Sequence, residues 1–254
     1  MFFFGKKRKR SRLLAEGLTD QAWQEATSRL PLLRRLPAEL APPLRGAARV
    51  LMAEKHFEGC GGLQLTPEMP LLICCQAALL QLHPDADYFP GLDTILVYPE
   101  AFVVRHAVED EHGIVSEQPD ELAGESWQLG SVILSWQDIL DETAEPEAGY
   151  NVVLHEFAHQ LDEQSGHADG VPLLGSAGLG PRWADAFTRA FDRHRRSLRR
   201  RGEVLFDDNA AESPAEFFAT AVELFFTLPR DLRHEFGDLY AVLAEHFAVD
   251  PAGW

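Results

Sequence analysis

His155 and His159 stand four residues apart, with Glu156 beside the first, in the string His155-Glu156-Phe157-Ala158-His159. On an α-helix with about 3.6 residues per turn, this spacing puts both imidazoles on one face, near enough to share one tetrahedral ion. Glu156 is aimed differently, so its carboxylate can reach a water at the metal without being a ligand. Two imidazoles and a separate base are what metal-assisted hydrolysis of a peptide bond requires.

The motif does chemistry only if it lies on a helix. Residues 150–163 carry Val153, Phe157 and Leu161 at every fourth position, with Leu154 and Ala158 alongside. That is the stripe of a helix buried on one side. Gly149 precedes it, Gly166 follows it, and no proline interrupts it. A helix with two surface histidines and a solvated glutamate matches H-E-x-x-H by chance, and the apolar periodicity weighs against that reading. Two histidines still leave the site incomplete.

The chain has 254 residues, enough to bury a substantial core. Its hydrophobic share of 46% and charged share of 25% are ordinary for a globular protein. The net charge of −17 argues against direct nucleic-acid binding. The charge is uneven: Lys6, Lys7, Arg8, Lys9, Arg10 and Arg12 contribute +6, leaving −23 for the rest. Residues 1–14 are therefore expected as a basic, disordered, solvated tail, with weak contact to an anionic membrane surface as the alternative. Their apolar residues come before the charges, the reverse of a secretory signal. No apolar run is long enough to suggest a transmembrane segment. Cys60, Cys74 and Cys75 are odd in number and partly adjacent, which suits reduced thiols and a cytoplasmic location.

The elements that must position the motif read as mostly helical. Residues 18–80 are helical with breaks at Pro31, Pro37 and Pro42-Pro43, and residues 47–57 and 70–82 are the clearest helices. Residues 93–98 and 131–136 read as two short strands that pair, and 101–105 as a continuation of the same sheet. The acidic stretch 109–125 suggests a loop or hairpin. Residues 166–181 read as a long loop, and 182–201, 214–227 and 232–247 as helices. The basic end of the 182–201 helix suits the helix dipole without any anion bound. Neither a repeat nor a compositional break marks a second domain, so residues 15–254 are expected as one domain of α+β class. In it a small sheet lies beside the motif helix, and an edge of that sheet could align an extended peptide.

A catalytic zinc takes three protein ligands and keeps one position for water. The metzincin pattern would need Gly and His where Asp162 and Ser165 stand. A thermolysin-like glutamate about twenty residues on is missing, since no glutamate follows Glu163 until Glu203. Glu216 is the best candidate, in Ser213-Pro214-Ala215-Glu216, yet S-x-x-E is also a capping box that explains Glu216 without any metal. Glu212, Glu223 and His167 compete with it. Asp162, one turn past His159, is either an orienter of an imidazole or a solvated acid at the helix end.

The string N-V-V-L-H-E-F-A-H-Q-L-D, followed by P-A-E-F-F-A, resembles the Mlc titration factor A family of bacterial zinc metallopeptidases. More distantly it is similar to the catalytic domain of anthrax lethal factor. The likeness to the titration-factor family covers nearly the whole chain after the basic segment, including A-E-K-H-F-E-G from Ala53, I-L-V-Y-P from Ile95 and V-I-L-S-W from Val132. It implies a zincin-like fold of gluzincin type. His155, His159 and Glu216 would bind one zinc ion, and Glu156 would be the general base. The resemblance also implies aminopeptidase-like activity on small peptide substrates. Its second implication is a regulatory role in sugar phosphotransferase control, because the family is named for sequestering Mlc, a glucose-responsive transcriptional repressor. One position departs from the pattern: the Tyr common seven residues before the ligand Glu is Asn209 here. An amide can donate to an oxyanion but reaches less far than a phenol. Either Asn209 substitutes, or another group such as Tyr150 does, or the peptidase site is weak or degenerate and the chain is mainly a regulatory protein that sequesters a repressor.

Overall fold

The computed structural model describes residues 2–100, 104–109, 115–120, 130–176, 178–200 and 204–254, and the side chains of these apart from residues 2–5 and 104–120. The first helix, α1 (Phe2–Glu16), packs on α4 (Ala41–Glu54), with the short α2 (Asp20–Arg29) and α3 (Pro31–Arg34) between them in sequence. Of the residues that the sequence reads as a disordered tail, 2–14 lie in this helix. Leu13 is buried, Leu14 lies against Gly46, and the Arg10 guanidinium donates to both oxygens of Glu54 at 3.0 and 2.6 Å. A Cβ at Gly46 would fall 2.7 Å from the Leu14 carbonyl oxygen, so only glycine lets the two helices approach this closely.

Proline places the helix starts of this region. Pro31 opens α3 and Pro42-Pro43 open α4, positions where a missing N–H costs nothing. After α4 come the strand β1 (His56–Gly59) and helix α5 (Glu68–Ala77), almost all of which is buried. The strands β2 (Thr94–Tyr98) and β5 (Ser131–Ser135) pair in parallel, with Ile95 opposite Val132 and Val97 opposite Leu134. The expected pairing of these two strands is therefore present. β1 adds to the other side of β2, also in parallel, giving the order β1-β2-β5. Parallel neighbours need a crossover, and α5 supplies the one from β1 to β2. Ile95, Val97, Val132 and Leu134 point into the core, while their alternate neighbours are half-buried apart from Ser135, which is buried where the strand meets the next helix.

Val104, expected as part of a continuation of this sheet, belongs to β3 (Val104–Glu109), which pairs antiparallel with β4 (Val115–Asp120) as a separate hairpin. Residues 101–103 lie outside the described residues.

β5 runs straight into α6 (Trp136–Ala144), where the Ser135 hydroxyl caps the first turn by accepting from the Asp138 N–H. The motif helix α7 (Val152–Glu163) follows and packs against β5, α5 and α9 (Pro214–Thr227). Between α7 and α9 lie the glycine-rich loop and α8 (Leu179–Arg199). Two helices, α10 (Pro229–Glu235) and α11 (Gly237–Phe247), close the chain. The sequence reads residues 232–247 as one helix. The structure breaks it at Phe236, whose ring turns inward onto Phe206 at 5.1 Å, ahead of the poor helix former Gly237.

One apolar cluster runs from Leu13 to Ala252. At its centre is α9, in which every residue from Ala215 to Thr227 except Glu216 is buried. Phe206 stacks on Phe217, and Trp183 and Phe187 pack on Phe218. A helix that is apolar nearly all round belongs in a core, and any ionisable group on it needs a partner.

Candidate metal centre

Asn151 sets where α7 begins. Its Oδ1 accepts from the Leu154 N–H at 2.9 Å, and its Nδ2 donates to Gln76 on α5 at 2.7 Å. Two carboxylates take the next free N–H groups: Glu223 accepts from the Asn151 N–H at 2.6 Å, and Glu142 on α6 accepts from the Val152 N–H at 2.7 Å. Acidic groups at a helix N-terminus are favourable for the dipole as well as for the hydrogen bonds. The start of α7 is thereby fixed from α5, α6 and α9 at once.

Held this way, α7 turns His155 and His159 toward the first turn of α9. The two Nε2 atoms are 3.1 Å apart, Glu216 Oε2 is 3.1 Å from His155 Nε2, and Glu216 Oε1 is 3.3 Å from His159 Nε2. Ligand atoms on a tetrahedral zinc, each about 2.0–2.1 Å from the ion, are about 3.3 Å apart. The spacing of this trio fits such an ion, and His155, His159 and Glu216 form the one group of metal-ligand character found among the described residues.

The protons point the same way. Glu223 Oε1 lies 2.6 Å from His155 Nδ1, so that nitrogen carries the hydrogen and the Nε2 side of the ring presents a lone pair. His155 Nε2, His159 Nε2 and the Glu216 carboxylate then converge on one point, and a proton or a metal ion must sit among them. Burial opposes protonation of His155, but its hydrogen bonds to Glu216 and Glu223 outweigh it and hold the ring well above its ordinary pKa. Burial pushes His159 down to about 4. Partial burial pushes the Glu216 carboxyl up, and the two imidazoles nonetheless pull it far below the usual carboxylate range. With a metal ion in place of the shared proton, two neutral imidazoles and one carboxylate form a donor set that suits zinc.

Glu216 and Glu223 are seven residues apart on α9, which is about 20° short of two full turns. Both face α7, one at each nitrogen of the same imidazole. Glu216 also settles how its capping box is used. The Ser213 hydroxyl accepts from the Glu216 N–H at 3.1 Å, which is half of the box. The carboxylate, free of the reciprocal bond, goes to the imidazoles.

Glu156, between the two histidines in sequence, is half-buried. Burial drives its carboxyl up to about 8, with His155 opposing and the charges of Glu216 and Glu223 adding. A cation beside it would bring that value back down.

The rivals fall elsewhere. Glu212 and His167 are exposed and outside the trio. Glu223 faces the far side of the His155 ring. Asp162, considered as an orienter of an imidazole, is fully buried and accepts main-chain N–H groups from Gly170 and Val171 at 2.7 and 2.8 Å. It ties the glycine-rich loop to the end of α7, and the carboxylate that orients His155 is Glu223. Gly170 is then wedged under α9, since a Cβ on it would meet the Pro214 carbonyl oxygen at 2.5 Å. Its φ of +81° favours glycine as well.

Asn209 is exposed at the start of a 3-10 turn just before α9, its carbonyl accepting from the Glu212 N–H. Tyr150 is half exposed immediately before the cap residue Asn151. Burial raises its phenol pKa, and the charges of Asp207 and Glu223 raise it further.

Glu142 and Asn151 had not been singled out in the sequence. Asn directly before an apolar helical stripe is a readable cap signal. Glu142 has none, because it reaches Val152 only through the packing of α6 on α7.

Residues 4–248 match the family described as glucose-regulated metallo-peptidase M90. Among the curated relatives, the "Uncharacterized protein slr2042" of a Synechocystis strain is 36% identical over 231 residues, spanning 90% of this chain and 84% of its own length. "Mlc titration factor A" from Yersinia pestis, and from Yersinia pseudotuberculosis, is 32% identical over 232 residues with the same coverage.

Proposed function

Since this chain belongs to the glucose-regulated metallo-peptidase M90 family, we propose that it is a zinc-dependent, aminopeptidase-like enzyme that hydrolyses peptide bonds in the cytoplasm. The observation that carries the reading is the convergence of His155 Nε2, His159 Nε2 and Glu216 on one point, with Glu156 near enough for the charges of His155 and Glu216 to act on its carboxyl. His155, His159 and Glu216 would hold the ion, an arrangement of gluzincin type because the third ligand is a glutamate. A zinc ion held there supplies Lewis acidity toward a scissile carbonyl and toward water.

The chain's own groups do the rest. Glu156 takes the proton of the attacking water and passes it to the leaving amine. Glu223 accepts the Nδ1 hydrogen of His155, which fixes the tautomer and makes the opposite nitrogen a better donor. For the developing oxyanion there are two donors, the Tyr150 phenol and the Asn209 amide. Comparing Tyr150→Phe with Asn209→Ala identifies the one in use: that variant lowers kcat and the other does not. The three free cysteines suit a reducing compartment, and no helix of the described residues is long and apolar enough to cross a membrane.

The test is metal analysis of the purified chain together with hydrolysis of chromogenic aminoacyl substrates and small peptides. One equivalent of zinc is expected, with turnover lost to a chelator and restored by zinc. Turnover that survives metal removal would overturn the reading.

A second reading rests on the name of the Yersinia relatives, Mlc titration factor A. We propose that this chain also binds a transcriptional repressor of the Mlc type, its acidic surface meeting a basic partner. Capture of such a repressor should be equal for the intact chain and for Glu156→Gln. A repressor that is cut, and not captured, would return the protein to the first reading alone.

A further inference from the structure

The basic segment at the start of the chain has no part in the metal centre. Its charge is concentrated, +6 within twelve residues against −23 in the remainder. The structure makes this segment part of a helix, docked by one face. Arg10 and Lys6 reach Glu54, and Leu13 and Leu14 pack toward α4. The other faces carry Lys7, Arg8 and Lys9, all exposed and, among the described residues, without an ion pair; exposed Arg12 has only Glu16 of its own helix at 3.5 Å.

The direction of the helix adds to this. Leu14 sits against Gly46 inside α4, whereas Arg10 and Lys6 reach Glu54, its last residue. Going toward its own start, α1 therefore runs beyond the end of the helix that supports it, and Phe2 lies about 6 Å further along the axis than Lys6. The part that overhangs is Phe2-Phe3-Phe4-Gly5. A helix docked by one face, with three aromatics in its first turn and cations after them, is the pattern of an interfacial anchor.

We propose that α1 is a docking element for an anionic lipid surface, with Lys7, Arg8, Lys9 and Arg12 meeting lipid headgroups and Phe2–Phe4 entering the interface. A membrane fits this element better than a nucleic acid does. The acidic body would be repelled by a polyanion that lies along it, whereas a flat surface can be touched by the projecting end alone, with the body facing away. Phenylalanines ahead of the cations have no partner on a duplex backbone but gain from the acyl boundary. The proposal is independent of the peptidase reading.

The test is flotation of the full chain with phosphatidylcholine vesicles containing about one third phosphatidylglycerol, at moderate salt. The intact chain should float with these vesicles and not with pure phosphatidylcholine. At about fivefold per cation, Lys7→Gln with Lys9→Gln should lower partition about 25-fold. Phe3→Ser with Phe4→Ser should remove the binding that persists at high salt. Arg196→Gln with Arg199→Gln removes two exposed cations from α8 and should change nothing. All these variants alter exposed or overhanging positions, and unchanged thermal melting checks the fold. Three results would overturn the proposal: no flotation of the intact chain, an equal loss in the α8 variant, or binding to a DNA duplex as strong as to the vesicles.

Discussion

Among the glutamates that join pairs of helices, Glu54 and Glu223 make two joints that differ in what is left over. Between α1 and α4, Glu54 takes both hydrogens offered by Arg10 and a further charge from Lys6, and the side-chain exposure of Glu54 is only 10%. Arginine is protonated at any relevant pH, so this joint is closed, with its charge satisfied and nothing further to give. Between α7 and α9, Glu223 takes one hydrogen from His155 and one from the Asn151 main chain. The imidazole has a second nitrogen, which this bond aims at His159 and Glu216. An ion pair that ends at its partner is structure; one whose partner has a second face can serve chemistry.

The comparison can be broken at several depths. The largest effect is expected at the open joint. Glu156→Gln should lower turnover by about 10²–10⁴-fold or more while zinc content stays at one equivalent, as metal analysis beside the peptidase assay would read. Glu216→Ala should instead empty the site, and full zinc occupancy in that variant would remove Glu216 from the ligand set.

Glu223→Gln keeps the shape of the side chain and removes its charge. Zinc affinity should fall about 10–100-fold in a chelator competition, with the melting temperature of the metal-loaded protein little changed. The matching change in the closed joint, Glu54→Gln, should do the reverse. About 2 kcal/mol of stability should go from the α1–α4 contact in a denaturant titration, since hydrogen bonds to charged groups contribute on that order. Zinc affinity should not move. If Glu54→Gln weakens zinc binding, the two joints are not independent.

The smallest effects are expected at the caps. Ser213 is half-exposed and its hydroxyl accepts from the Glu216 N–H, so Ser213→Ala should cost about 1 kcal/mol. Asn151 is buried and bonded on three sides, so its replacement by Ala should cost about 2 kcal/mol. Equal losses would mean that burial of the α7 cap adds nothing.

Much of this was legible before any coordinates. The four-residue recurrence of Val153, Phe157 and Leu161 marks α7, and Pro214 to Thr227 is the helix that the apolar run suggests. Other elements were not. β1 is four residues long without apolar alternation, and only its pairing with β2 makes it a strand. Residues 1–14 read as a basic, solvated tail, because their composition does not contain Glu54, the group that takes the charge of Arg10. Asp162 and Glu223 are both acids near the motif's chemistry, and only packing assigns one to the loop and the other to His155.

By itself the sequence determined the local part of the site: two imidazoles and a carboxylate on one helix, a cap ahead of them, and a second helix with Glu216 in its first turn. These follow from periodicity and from backbone hydrogen bonding within a few residues. Tertiary structure alone decided which carboxylate faces which nitrogen, and whether the basic segment is tail or helix. Those outcomes depend on groups tens of residues apart in the chain, brought within 3 Å by the burial of α9 and by the close approach at Gly46. No local pattern contains such distances, because they are set by the packing of the core and not by the helices that carry the charges.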